Sequence, residues 1–142
     1  MPAEIFLDAS YAIALSSSTD LHHARALSLA DRLEKTPTPL VTTRGVLLEI
    51  GNALAKLRYR EAATRLLEAL ESDPQVEIVS ISDDLYRRAF GLYRSRTDKE
   101  WGLTDCASFI VMRDRGVLEA LTADEHFRQA GFQPLLLEEA GP

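Results

Sequence analysis

The sequence predicts an α/β chain, with a short parallel sheet of about five strands held between two helical layers as an α/β/α sandwich. Three observations predict it. Short β-branched or apolar runs alternate with longer amphipathic ones, and parallel neighbours need a helical crossover to join them. The length of 142 residues is about the modal size for one domain, with no repeat, low-complexity tract or linker to divide it. The composition, 46% hydrophobic and 27% charged with seven Gly and six Pro, is that of a globular, helix-rich chain. One domain spanning residues 1–142 is expected.

The elements follow in order. Glu4 to Leu7 reads as the first strand and ends in Asp8-Ala9-Ser10, where Asp8 or Ser10 can cap a short helix through Ile13 and Leu15. A second helix runs from about Asp20 until Pro37 and Pro39 break it, and Leu40-Val41 form a short strand. Thr42 or Thr43 then caps a helix carrying Val46, Ile50, Ala53, Leu54 and Leu57, and another covers about Glu61 to Glu71, ended by Asp73-Pro74. Val76 to Ile81 alternates as a strand does, and Ser82-Asp83-Asp84 open a helix through Leu85, Ala89, Leu92 and Tyr93. Ser95 to Leu103 is polar loop. Thr104, as cap, and Asp105 start a helix that stops at Gly116; Leu118 to Thr122 is a strand. Asp124 to Ala130 is a short helix, and Pro134 to Leu137 is the last strand.

Composition excludes several classes. The longest apolar runs fall far short of the roughly 20 residues a bilayer span needs, so no membrane association is expected. The opening Met-Pro-Ala-Glu lacks a basic segment followed by an apolar core, which argues against a secretory signal, and the single Cys cannot form an internal disulfide. A cytoplasmic address is the default. The net charge of −6 and pI near 5.1 argue against a broad basic surface. Two stretches run the other way: Lys56, Arg58, Arg60 and Arg65, and then Arg87, Arg88, Arg94, Arg96 and Lys99. Either is a solvated helix face or a guide for a polyanion, with Arg94, Arg96 and Lys99 the candidates for that contact.

In parallel α/β sheets the ligand site lies beyond the carboxyl ends of the strands. Asp8 and Asp124 follow strands there, Asp105 sits in the first turn of its helix, and Glu49 lies roughly 9 Å along its own helix at 1.5 Å per residue. Four acids can meet at one edge. Like charges at close range raise one another's pKa, so such a cluster calls for a hard divalent cation, magnesium or manganese. The cation lowers the pKa of a bound water and directs it at a phosphodiester. Against this stands a plain reading, in which Asp8, Asp105 and Asp124 are helix caps and Glu49 an exposed helix residue.

The residues around the acids form four blocks: Ile5-Phe6-Leu7-Asp8-Ala9-Ser10, Glu49-Ile50-Gly51-Asn52, Asp98 to Phe109 containing Trp101-Gly102-Leu103-Thr104-Asp105, and Thr122-Ala123-Asp124-Glu125-His126-Phe127. In order, spacing and context they resemble the PIN domain, especially its VapC-like toxin branch, across nearly the whole chain. The resemblance implies magnesium- or manganese-dependent RNA cleavage, a homodimer, and for the toxin branch a cognate antitoxin that blocks the site. It implies Asp8, Glu49 and Asp105 as direct or water-mediated metal ligands and Asp124 as a more peripheral one. Thr104 would support the metal shell, Asn52 would steady Glu49 or contact phosphate, and Ser10 would support the site or cap its helix. Gly102 departs from the Ser of many relatives, which should loosen the loop before Thr104.

Other residues read more plainly. His22 and His23 point about 100° apart on a helix and are expected at the surface. His126 reads as structural or exposed rather than as a general base, and Cys106 as a small buried side chain. Trp101 packs against the domain or stacks on a base. The competing function is a non-catalytic RNA- or protein-binding domain whose acids are structural. A receiver-like phosphoryl-transfer domain fits less well, because the first strand ends in Asp8-Ala9-Ser10 without a paired Asp.

Overall fold

Five short runs of extended backbone pair in parallel: β1 (Ile5–Leu7), β2 (Leu40–Thr43), β3 (Val76–Val79), β4 (Glu119–Leu121) and β5 (Gln133–Pro134). Their order in the sheet is β3-β2-β1-β4-β5. The structure, a computed structural model, describes residues 2–138; Met1 and residues 139–142, the ends of the expected 1–142 domain, lie outside the described residues. Helices α1 (Ala9–Ser16), α2 (His23–Lys35), α3 (Arg44–Ala53) and α4 (Leu57–Ser72) link the first three strands. Helices α5 (Asp83–Ser95), α6 (Leu103–Arg115) and α7 (Glu125–Gln129) link the rest.

The chain moves outward from β1 to β3, then returns across β1 to β4 and β5. Right-handed crossovers therefore put α1 to α4 on one face and α5 to α7 on the other, the expected sandwich. Side-chain alternation agrees. Leu7 points toward Tyr11, Leu33 and Leu66 of the first layer. Phe6 points the opposite way, 6.2 Å from the Phe127 ring, which meets Phe109 edge-on at 5.0 Å. These three rings are fully buried; each contributes about 1.5–3 kcal/mol, and an edge-to-face pair adds about 0.5–1.5 kcal/mol.

Local signals placed most boundaries. Thr43 caps α3 through Val46 N at 3.2 Å, Ser82 caps α5 through Leu85 N at 3.1 Å, and Gly116 ends α6 at φ 67° in the left-handed region. Four expectations need correction. Leu57 does not continue α3, which stops at the C-cap Leu54; it opens α4 and is 87% exposed. The cap of α6 is Gly102 rather than Thr104, because the Asp105 carboxylate reaches back to the Gly102 amide at 3.1 Å. The last strand shortens to Gln133–Pro134. His23 is half-buried, its Nδ1 2.7 Å from the Ala14 carbonyl, and so ties α2 to α1 instead of lying free at the surface.

Candidate active site

The sheet order reverses between β1 and β4, and the crevice at their carboxyl ends is where a parallel sheet opens to a ligand. The ladder runs up to that point, with the Asp8 amide donating to Leu121 O at 3.2 Å. Asp8 holds the N-cap position of α1, yet its side chain makes no capping bond, and it is only 5% exposed. Instead, Oδ2 accepts the hydroxyls of Thr122 at 2.8 Å and Ser10 at 3.0 Å. Burial pushes its carboxyl up to about 6; the Thr122 hydrogen bond opposes this, and the nearby charge of Asp105 adds to it.

Three other elements bring acids to the same edge. Asp124 caps α7, accepting the His126 amide at 2.8 Å. Asp105, in the first turn of α6, has its carboxyl raised by burial and then by the charge of Asp124, against hydrogen bonds from the Gly102 amide and His126. Glu49, half-buried on α3, is raised by burial; a hydrogen bond from Thr104 works against that, and the charges of Asp8, Asp105 and Asp124 reinforce it. Glu49 thus lies in electrostatic reach of the other three, Asp8 of Asp105, and Asp105 of Asp124. The tightest group is Asp105, Asp124 and His126, whose ligand atoms lie within 4.8 Å of one another.

The cap reading is half right. Asp124 accepts a helix amide and Asp105 the amide of the cap residue Gly102, each with one carboxylate oxygen, while Asp8 makes no cap bond and Glu49 lies beyond the first turn. Among the described residues, no Lys or Arg lies within salt-bridge distance of any of the four. His126 Nδ1 alone approaches, 3.2 Å from Asp105 and 3.3 Å from Asp124. Oxygen donors in excess of protein cations are a donor set that suits a hard divalent ion.

The family model for the PIN domain matches residues 5–133. The chain belongs to the PIN domain family. It is 29% identical over 128 residues to proteins from two strains of Mycobacterium tuberculosis, CDC 1551 / Oshkosh and ATCC 25618 / H37Rv, each described as a 23S rRNA-specific endonuclease, VapC20. Those matches cover 90% of this chain and 95% of each relative. The crystal structure of Mycobacterium tuberculosis VapC20, described as a Sarcin-Ricin loop cleaving toxin, superposes with a TM-score of 0.78 at 29% identity, covering 90% of this chain and 95% of that one.

Within this PIN domain the supporting residues divide. Ser10 is not a cap; its hydroxyl joins Asp8 and accepts the Ala123 amide at 2.9 Å. Thr104 is half-buried in the first turn of α6, and Asn52 is exposed one turn beyond Glu49 along α3. The loop before Thr104 is held at its end by the Asp105–Gly102 bond, against the loosening expected of Gly102. Trp101 is buried, edge-on to Phe109 at 5.0 Å, with its indole N–H donating to Gln129 at 3.0 Å, so it packs rather than offering a base platform. Cys106 is fully buried, and burial pushes its thiol up.

The basic stretches are largely occupied. Arg96 binds Asp98 through two bonds and lies over the Trp101 ring at 4.8 Å; Arg88 holds Asp114, Arg65 holds Glu61, and Arg60 donates to Ala55 O. Arg94 is exposed over Phe90 at 5.9 Å, and Lys99 is partly exposed. Two side chains that the sequence does not single out stand beside the acids. His126, which reads from the sequence as structural or exposed, turns its ring toward Asp105 and Asp124. Thr122, which in the sequence is only the first residue of the fourth block, donates its hydroxyl to Asp8.

Proposed function

We propose that this PIN domain, taken as one domain over residues 1–142, is a metal-dependent endoribonuclease that cleaves RNA phosphodiesters with water activated by magnesium or manganese. The observation that carries the reading is the convergence of Asp8, Glu49, Asp105 and Asp124 without an Arg or Lys partner among the described residues. Asp8, Glu49 and Asp105 would hold the ion, with Asp124 peripheral. A bound divalent ion supplies an acidified water and positive charge for the leaving oxygen. Thr104 supports the metal shell, Ser10 and Thr122 orient Asp8, and Asn52, Arg94 and Lys99 contact phosphate. Arg96 contributes by holding the loop rather than by touching RNA.

The relatives' substrate suggests the first RNA to try, a hairpin carrying a Sarcin-Ricin-type loop. The role proposed is that of a cytoplasmic toxin paired with an antitoxin. An apolar cavity of about 410 Å³, lined by Leu7, Tyr11, Leu33 and Leu66 and reaching the residues that open β2 and β3, offers the antitoxin an anchor away from the acids. A homodimer is supported by the exposed row Tyr86, Phe90 and Tyr93 on α5, 48%, 42% and 50% exposed, beside Leu48 at 64%. No helix among the described residues is long and apolar enough to cross a membrane.

The competing non-catalytic reading draws on one observation, that Asp124 caps α7 and Asp105 closes the start of α6 on the Gly102 amide. The deciding experiment incubates the hairpin and a mixed RNA pool with magnesium, manganese or chelator, beside a folded Asp8→Asn, Asp105→Asn double variant. Cleavage that needs the metal and disappears in the variant supports the nuclease. Binding of RNA without cutting under any of these conditions favours the alternative.

A further inference from the structure

We infer that Thr122 is a positioning residue that sets the spacing between Asp8 and Asp124, so that its hydroxyl governs how tightly the site holds a divalent cation. The inference rests on the nuclease reading above and goes beyond it. Thr122 follows β4 directly and is fully buried, across the crevice from Asp8. A hydroxyl carries a single proton. Thr122 directs its proton to Asp8 Oδ2 at 2.8 Å, and Ser10 directs its own to the same oxygen at 3.0 Å.

Both hydroxyls are then left with lone pairs only, and those accept backbone amides on the far side of the crevice. Thr122 Oγ1 takes the Asp124 amide at 3.1 Å, and Ser10 Oγ takes the Ala123 amide at 2.9 Å. The two oxygens lie 3.1 Å apart. The amide links have one direction, from the loop N–H to the hydroxyl, and the carboxylate can only accept; between the two hydroxyls either oxygen can donate. The relay fixes the backbone of Asp124 as it enters α7 and turns Oδ2 of Asp8 into the protein. Oδ1 takes neither hydroxyl, and we assign it as the oxygen that meets the cation. A Val at position 122 would keep the shape and remove both links at once.

The test is binding of Mn²⁺ alone, followed by electron paramagnetic resonance of the free ion, to wild type, Thr122→Val, Thr122→Ser and Ser10→Ala at a temperature where each is folded. Thr122→Val should weaken Mn²⁺ binding by about 10–100-fold, the usual effect of removing a group that orients a ligand. Thr122→Ser should restore binding to within a few-fold, and added Mn²⁺ should recover the RNA cleavage that Thr122→Val loses at low metal. A structural threonine would lower the metal-free melting temperature and leave Mn²⁺ affinity within twofold of wild type, which would overturn the inference while sparing the nuclease reading. Should Thr122→Val fail to fold, Ser10→Ala removes the second arm of the relay from a half-exposed position, and unchanged affinity there would equally count against it. A wild-type protein that binds no Mn²⁺ overturns both readings.

Discussion

The two ends of the sheet use carboxylates in opposite ways. At the amino end, Arg115 at the close of α6 forks between Glu4, just before β1, and Glu77 on β3, with four contacts of 2.8–3.0 Å. The guanidinium beside it holds the Glu77 carboxyl below its usual range. At the carboxyl end four acids face one another with one imidazole near them, and burial with mutual repulsion raises Asp8, Glu49 and Asp105. One edge is a completed ion-pair network. The other gathers carboxylates with no Lys or Arg partner among the described residues, and on the proposed function that difference marks where a cation would sit.

The strongest way to break this comparison is to neutralise the carboxyl edge. Asp8→Asn with Asp105→Asn should reduce metal-dependent RNA cleavage by more than the roughly 10–100-fold typical of losing an outer-shell partner, read from initial rates at saturating metal. Retained cleavage would relocate the site. Next in size is the pH dependence of the metal-free protein. Asp8 has a folded pKa near 6 against an ordinary 3.8, so its ionised form disfavours the folded state. Its unfavourable contribution is absent below about pH 4 and grows to on the order of 3 kcal/mol as pH rises through 6. Metal-free protein should therefore gain stability on moving from pH 7.5 to 5, and Asp8→Asn should flatten that part of the profile in denaturant melts.

The amino edge should behave in the contrary way. Arg115→Ala is expected to cost about 1 kcal/mol, being a partly exposed network, and to leave cleavage and metal response unchanged. A loss of activity there would mean the two edges are coupled. The smallest effect expected is that of Gly102→Ser. A Cβ at that position meets only Asp105 Oδ2, at 3.7 Å, and the new hydroxyl can cap α6, so a gain of a few tenths of a kcal/mol in thermal unfolding is expected.

Much of this was legible in the chain. The strands β1 to β4 announce themselves as short apolar runs, the caps Thr43 and Ser82 stand where a hydroxyl precedes a helical pattern, and the acids fall at strand ends where an α/β sheet places ligands. What was not legible depended on competition between neighbours or on distant contact. Thr104 looks the better cap for α6, but Asp105 reaches back to the Gly102 amide, and a glycine carries no side-chain signal. The break between α3 and α4 lies at Leu54–Lys56 without Pro or Gly, so apolar spacing ran through it to Leu57. The basic run from Arg87 to Lys99 overstated its free charge because Asp114, far along the chain, takes Arg88. His126 and Thr122 matter through side chains 21 and 114 residues distant, which only the fold brings close.

The central claim is that the carboxyl edge is built for a cation, and thermal unfolding at pH 7.5 with and without Mn²⁺ tests it most directly. Metal-free Asp8→Asn should melt several degrees above metal-free wild type. Mn²⁺ at about 100 times its Kd should stabilise wild type by about 2.7 kcal/mol and do little for the variant. A wild type indifferent to Mn²⁺, with Asp8→Asn melting lower than it, would show that the acids serve the fold alone and would contradict the account.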